Sequence, residues 1–182
     1  VGHGMTLHAP LFTEPVVLSE NLAQVPAFQV AGTPADCVKL AITNLFPEFV
    51  PDLIISGINR GPNVGLNIQY SGTVAGALEA CMNGFPAVAL SLDIPTNGIW
   101  HFALAAELAT PLIDLVLAKG LPEWTALNIN FPNRPQTEIK GTRLTRHGKS
   151  GFKEYYIEEA PAGRRRRFRL EGTKLFRDAD AG

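Results

Sequence analysis

The 182-residue chain is 46% hydrophobic and 18% charged, the balance of a folded globular protein and not of a disordered one. Sixteen basic residues stand against seventeen acidic ones, a net charge of −1, which excludes the basic excess that a general binder of nucleic-acid polymers or membrane surfaces needs. No apolar run reaches the ~18 residues of a membrane span and the first residues carry no signal-peptide pattern, so the sequence reads as cytoplasmic. Cys37 and Cys81, in separate predicted helices, read as buried free thiols suited to a reducing compartment.

Residues Val1–Phe12 read as a strand or loop, opening without Met, and the sequence reads as a segment of a longer protein. A short apolar stretch, Phe28–Val30, leads into Gly32-Thr33-Pro34-Ala35-Asp36. There Thr33 is the predicted N-cap, Pro34 takes the first helical position and Asp36 completes a capping box. Val38, Ala41, Ile42 and Leu45 follow at helical spacing and predict an amphipathic helix over 34–46, ended by Pro47. Asp52–Ser56 is a short continuous apolar run, the pattern of a strand buried on both faces of a parallel sheet. A Gly- and Asn-rich loop is predicted from Gly57 to Tyr70. Ser71-Gly72-Thr73 then opens a second helix, which carries Val74, Ala77, Leu78 and Cys81 at helical spacing. Ala87–Ser91 is a second buried strand. His101–Ala118 is a long helix with Leu104, Leu108, Leu112 and Leu115 on one stripe, kinked at Pro111 and closed by Gly120. Ala126–Asn130 is a third buried strand. This alternation predicts an α/β fold, with a Rossmann-like parallel sheet and helices on both faces. The pattern changes near Lys140. Gly141–His147, Lys153–Ile157 and Arg166–Leu170 read as extended, so 1–139 is taken as the α/β domain and 140–182 as an extended antiparallel β-hairpin arm.

Open α/β sheets bind ligands at the carboxyl ends of their strands. Ser56-Gly-Ile-Asn-Arg-Gly-Pro-Asn63 occupies such an end, and Ser71-Gly72-Thr73 then presents a helix N-terminus, where free N–H groups and the helix dipole favour a phosphate. An Asn side-chain oxygen from the loop suits a hard divalent cation. The same residues also suit a tight connection in which Ser71 is only an N-cap, and composition does not separate the two readings.

The run Pro51-Asp-Leu-Ile-Ile-Ser-Gly-Ile-Asn-Arg-Gly-Pro-Asn-Val-Gly65, with Tyr70-Ser-Gly-Thr-Val-Ala-Gly-Ala-Leu-Glu79 after it, resembles the signature of the SurE family of stationary-phase survival proteins. Gly32–Val38, Leu127–Pro132 and Gly141–Arg146 resemble its flanking elements. The resemblance implies a Rossmann-like domain with a C-terminal arm used in subunit assembly, hence a homodimer or homotetramer. It also implies metal-dependent hydrolysis of nucleoside 5′-monophosphates to nucleoside and phosphate. The family holds its metal, expected as Mg²⁺ or Mn²⁺, through two adjacent aspartates after the first strand, a serine, and an asparagine that falls on Asn59 here. Its phosphate falls on Ser71, Gly72 and Thr73, with Asn63 in the same loop wall. No Asn-Asp-Asp sequence occurs in this chain, so the aspartate pair, the serine and the first strand are expected upstream of Val1.

The alternative is a non-catalytic nucleotide-binding or scaffold module that keeps the phosphate loop without the metal. A Rossmann dehydrogenase finds no Gly-x-Gly-x-x-Gly motif. His3, His8, His101 and His147 lack metal-ligand spacing. Glu79 reads as structural, Trp100 and Trp124 as packing anchors, and Arg60 as either a substrate contact or a solvated loop residue. Arg164–Arg167 reads as an exposed strand or a subunit contact, with recognition of a polyanionic substrate as the alternative.

Overall fold

The strands and helices alternate because short apolar runs, too brief for a helix, are separated by capped amphipathic segments. The computed structural model describes residues 4–149, 151–162 and 164–175. Their contacts form two compact units: residues up to 62 together with 70–139, and residues 63–69 together with those from 140 onward.

The first unit begins with an antiparallel pair, β1 (Thr13–Pro15) and β2 (Phe28–Val30). Helix α1 (Pro34–Leu40) starts at the predicted capping box: Thr33 Oγ1 accepts from Asp36 N while the Asp36 carboxylate accepts from Thr33 N. The helix then loosens into a π turn over Ala41–Leu45, closed by Phe46 N donating to Ala41 O, and Pro47 has no N–H to continue it. Strand β3 (Ile54–Arg60), helix α2 (Gly72–Met82), strand β4 (Ala87–Leu92), helix α3 (Phe102–Lys119) and strand β5 (Ala126–Phe131) complete the unit. The three strands are parallel in the order β3-β4-β5.

Every residue of β4 is buried, as expected of a central parallel strand. Val88, Leu90 and Leu92 pack with Ala105, Ala109 and Val116 of α3 and Phe131 of β5. The alternate positions Ala87, Ala89 and Ser91 project from the other face of the pleat. The side chains there are small, and so are most buried positions of α2, among them Gly72, Ala75, Gly76, Ala77 and Ala80. A Cβ on Gly76 would stand 2.8 Å from Ser56 Oγ and 3.3 Å from Pro34 Cβ, so glycine sets how closely α2 approaches β3 and α1. Glu79, buried on α2, pairs with Lys39 at 3.0 Å and accepts from Asn83 Nδ2 at 2.8 Å.

The second unit contains β6 (Gly151–Ala162) and β7 (Arg165–Leu175), paired antiparallel as a hairpin. Arg166 meets Glu158 through two bonds of 2.7 and 2.8 Å, and Glu159 receives Arg167 and Arg169. Two arginines of the run, Arg166 and Arg167, are therefore matched by glutamates of the facing strand. On one face of the ribbon Tyr156 stands opposite Leu170, beside Phe168, and all three are exposed. The His147 ring lies 2.6 Å from Gly65 O within this unit. No helix among the described residues is long and apolar enough to cross a membrane.

Four expectations are corrected. Strand β3 does not stop at Ser56 but runs through the predicted loop to Arg60, because a register shift between Ser56 and Asn59 lets it keep pairing with β4. Residues 141–147 form no strand. The buried stripe of α3 runs through Ala105, Ala109 and Val116, while Leu104, Leu108 and Leu112 are half-buried beside it and Leu115 is exposed: alanines let the helix sit close to the sheet, which leaves the leucines at the margin of the core. Trp124 anchors nothing; it is 75% exposed in a turn at φ +60°. Cys81 is buried and Cys37 half-buried, and both are free.

Candidate functional site

The irregularity in β3 shapes the site. Gly57 takes φ +126°, and a Cβ there would fall onto Leu90 O of the neighbouring strand, so only glycine fits. The Gly57–Ile58 peptide is cis. Beyond the shift, Asn59 pairs with Ser91 and Arg60 with Leu92, which carries both residues to the carboxyl edge of the sheet. Asn59 Nδ2 donates to Gly61 O at 2.8 Å, so the amide nitrogen is committed to the backbone and Oδ1 is left as an acceptor.

Ser71 N-caps α2. Its Oγ accepts from Val74 N at 3.1 Å and its carbonyl from Ala75 N at 2.9 Å. The first-turn N–H groups of Gly72 and Thr73 have no carbonyl within the helix to receive them, the usual condition of an anion-accepting helix start. Gly72 is buried and has no side chain of its own.

These elements open on a cleft of about 550 Å³ lined by Asn59, Arg60 and Ser56 of β3, Thr73 of α2, Cys37 of α1 and Phe102 of α3. Asn59 and Thr73, which the sequence singled out separately, thus face one cavity. Ser71 and Gly72 belong to the same helix start. Asn63 lies in the second unit, where it is buried. Burial pushes the Cys37 thiol above its usual range, and the neighbouring Asp36 carboxylate adds to this, so the wall presents a protonated thiol and no thiolate nucleophile.

Trp100 is the residue whose surroundings the sequence left unread. Its indole stacks on Phe102 with ring centroids 5.5 Å apart and planes at 10°, and the Arg60 guanidinium lies 4.8 Å from its centroid. The only available signal was positional: Arg60 and Trp100 follow the carboxyl ends of adjacent strands.

The sequence profile of the family described as Survival protein SurE matches residues 1–154. The chain belongs to the SurE family. The protein from Symbiobacterium thermophilum named 5′-nucleotidase SurE is 47% identical over 156 residues, covering 86% of this chain and 59% of that one. Its namesake from Moorella thermoacetica is 46% identical over 152 residues, 84% of this chain and 56% of the other. The chain therefore spans less than two thirds of the length of these curated relatives. Among solved structures, the SurE protein from Aquifex aeolicus superposes with a TM-score of 0.75 at 36% identity, covering 96% of this chain and 67% of that one. The parallel sheet with flanking helices and the antiparallel arm are thus a SurE architecture.

Proposed function

We propose that the intact protein is a 5′-nucleotidase that hydrolyses nucleoside 5′-monophosphates to nucleoside and phosphate in this cleft, with Mg²⁺ or Mn²⁺ bound at Asn59. The names of its SurE relatives support the activity. The observation that carries it to this cleft is that Asn59 and the α2 start at Thr73 line the same cavity.

Asn59 Oδ1 is a neutral hard donor of the kind Mg²⁺ and Mn²⁺ accept, but one such oxygen does not hold a divalent ion. Among the described residues no group of three or more His, Cys, Asp or Glu side chains could hold a metal. The donor chemistry fits the cation while the ligand set is incomplete, and the family resemblance assigns the rest to the aspartate pair and the serine. When bound, the cation neutralises phosphate charge. This chain's own residues do the positioning. The N–H groups of Gly72 and Thr73 receive phosphate oxygens, the α2 dipole stabilises their charge, and Asn59 is oriented by its bond to Gly61 O.

The arm supports a second part of the proposal, assembly into a homodimer or homotetramer. A lone two-stranded ribbon is marginal in water, and Tyr156, Phe168 and Leu170 expose apolar surface on one of its faces beside the Arg166–Glu158 pair.

The test is phosphate release from nucleoside monophosphates by the full-length protein, with Mg²⁺ or Mn²⁺ and with EDTA, beside direct metal titration. Asn59→Ala is expected to lower kcat about a hundredfold and to weaken metal binding. Wild-type rates and metal affinity in that variant would remove Asn59 from the site, and metal-independent release would remove the cation.

A further inference from the structure

Arg60 ends β3 and lies in register with Leu92, the last residue of β4, so its side chain leaves the sheet where α/β proteins hold ligands. Trp100 comes from the connection that follows β4. The two meet as a cation over an aromatic face at 4.8 Å, and Trp100 in turn stacks on Phe102. Arg60 and Phe102 line the same cleft as Asn59 and Thr73.

The partner of this group is an aromatic ring and not a carboxylate. Among the described residues no carboxylate lies within ion-pair distance of Arg60; the indole holds it instead. The hairpin arginines show the contrast, since Arg166, Arg167 and Arg169 each meet a glutamate. A guanidinium bonded to carboxylate has its N–H edge occupied. One resting on an indole keeps that edge and its planar surface for a ligand. Arginine planes and aromatic rings are the surfaces on which nucleobases stack, and their edges donate to base nitrogens and carbonyls.

We infer that Arg60, oriented by Trp100, forms the nucleobase-recognising wall of the cleft and makes the protein discriminate nucleoside monophosphates from base-free phosphate esters, with purines favoured over pyrimidines. The inference rests on the nucleotidase reading of the same cleft. Asn59 and the α2 start take the phosphate end, while Arg60 and Trp100 take the end that differs between substrates. Arg60 is thus a specificity residue. The larger π surface of a purine gives it the greater gain from stacking.

The test compares AMP, CMP and ribose 5-phosphate on the full-length protein, by turnover and by calorimetric binding, in wild type, R60A and R60K. Arg60 is exposed, so R60A is expected to fold. R60A raises KM and Kd for AMP about tenfold, the scale of one lost base-stacking contact. It affects CMP less and leaves ribose 5-phosphate within twofold. R60K keeps the charge without the plane and recovers little. An equal loss for ribose 5-phosphate would make Arg60 a phosphate contact and overturn the inference, as would full recovery by R60K or no change for any ligand. Base-dependent binding that R60A abolishes, with no hydrolysis by the wild type, would keep this wall and discard the nucleotidase reading. Hydrolysis without base dependence would do the reverse.

Discussion

Thr6 and Asp36, thirty positions apart, are joined by two hydrogen bonds: Thr6 N donates to Oδ1 at 2.8 Å and Thr6 Oγ1 to Oδ2 at 2.7 Å. Asp36 is 1% exposed and also accepts from Thr33 N, so one carboxylate caps α1 and ties the segment around Thr6 to it. Burial alone would raise its pKa, but the donors from Thr6 and Thr33 outweigh that and hold it at about 2.

Asp36→Asn should cost the full-length protein about 2–3 kcal/mol of stability, the worth of charge-assisted bonds lost from a buried acceptor, read as a fall in denaturant midpoint. The pH dependence follows from the lowered pKa. The carboxylate stabilises the fold above its unfolded pKa near 3.8, and that stability drains away as pH falls toward about 2. The wild type therefore loses about 2 kcal/mol from this group across that window, while Asp36→Asn shows a flatter acid limb. Parallel acid limbs would count against the assignment.

Gly57→Ala should be severe. The added methyl meets Leu90 O of β4 and must sit at φ +126°. Strain at such a backbone costs about 1–3 kcal/mol before the clash is added, so the thermal midpoint should drop sharply or soluble protein should be lost. A near-wild-type midpoint would mean that β3 and β4 separate more easily than their register implies.

Gly76→Ala tests the approach of α2 to the sheet. Its methyl would come within 2.8 Å of Ser56 Oγ, and overpacking of this kind costs about 1–3 kcal/mol. Ser56→Ala removes the obstructing atom, so the double variant should be more stable than the sum of the two single changes predicts, by about 1 kcal/mol. Simple additivity would show that the helix relaxes elsewhere.

Tyr156→Lys and Leu170→Glu place charges at facing positions within the exposed apolar cluster of the hairpin. The two changes should lower the sedimenting mass of the full-length protein without unfolding the α/β unit, whose core uses neither residue. Unchanged mass would assign assembly to another surface.

Much of the fold was legible because its signals are local. Thr33, Pro34 and Asp36 announce α1 within four residues, and the apolar runs at 52–56, 87–91 and 126–130 announce three strands, of which only the central β4 is buried throughout, β3 and β5 being half-covered. What escaped was set by distant partners. Glycine and asparagine after Ser56 suggest a loop, yet β4 supplies carbonyls and amides that keep the chain extended to Arg60. The leucine stripe of α3 yielded to the closer fit of Ala105 and Ala109 against β4. Asn59 and Thr73 were singled out from sequence and face one cleft, whereas the pairing of Arg60 with Trp100 joins residues from two different connections and leaves no local trace.

The alanine and glycine seam beneath α2 also bears on heat and disorder. Ala75, Gly76, Ala77 and Ala80, like Ala87 and Ala89 beside them, have no rotamers to lose. On the packed side of the helix whose first turn faces the cleft, a ligand arriving there therefore finds few side-chain rotamers to freeze. Its binding should show a small loss of protein conformational entropy, measurable as side-chain order that scarcely changes between the empty and the filled cleft.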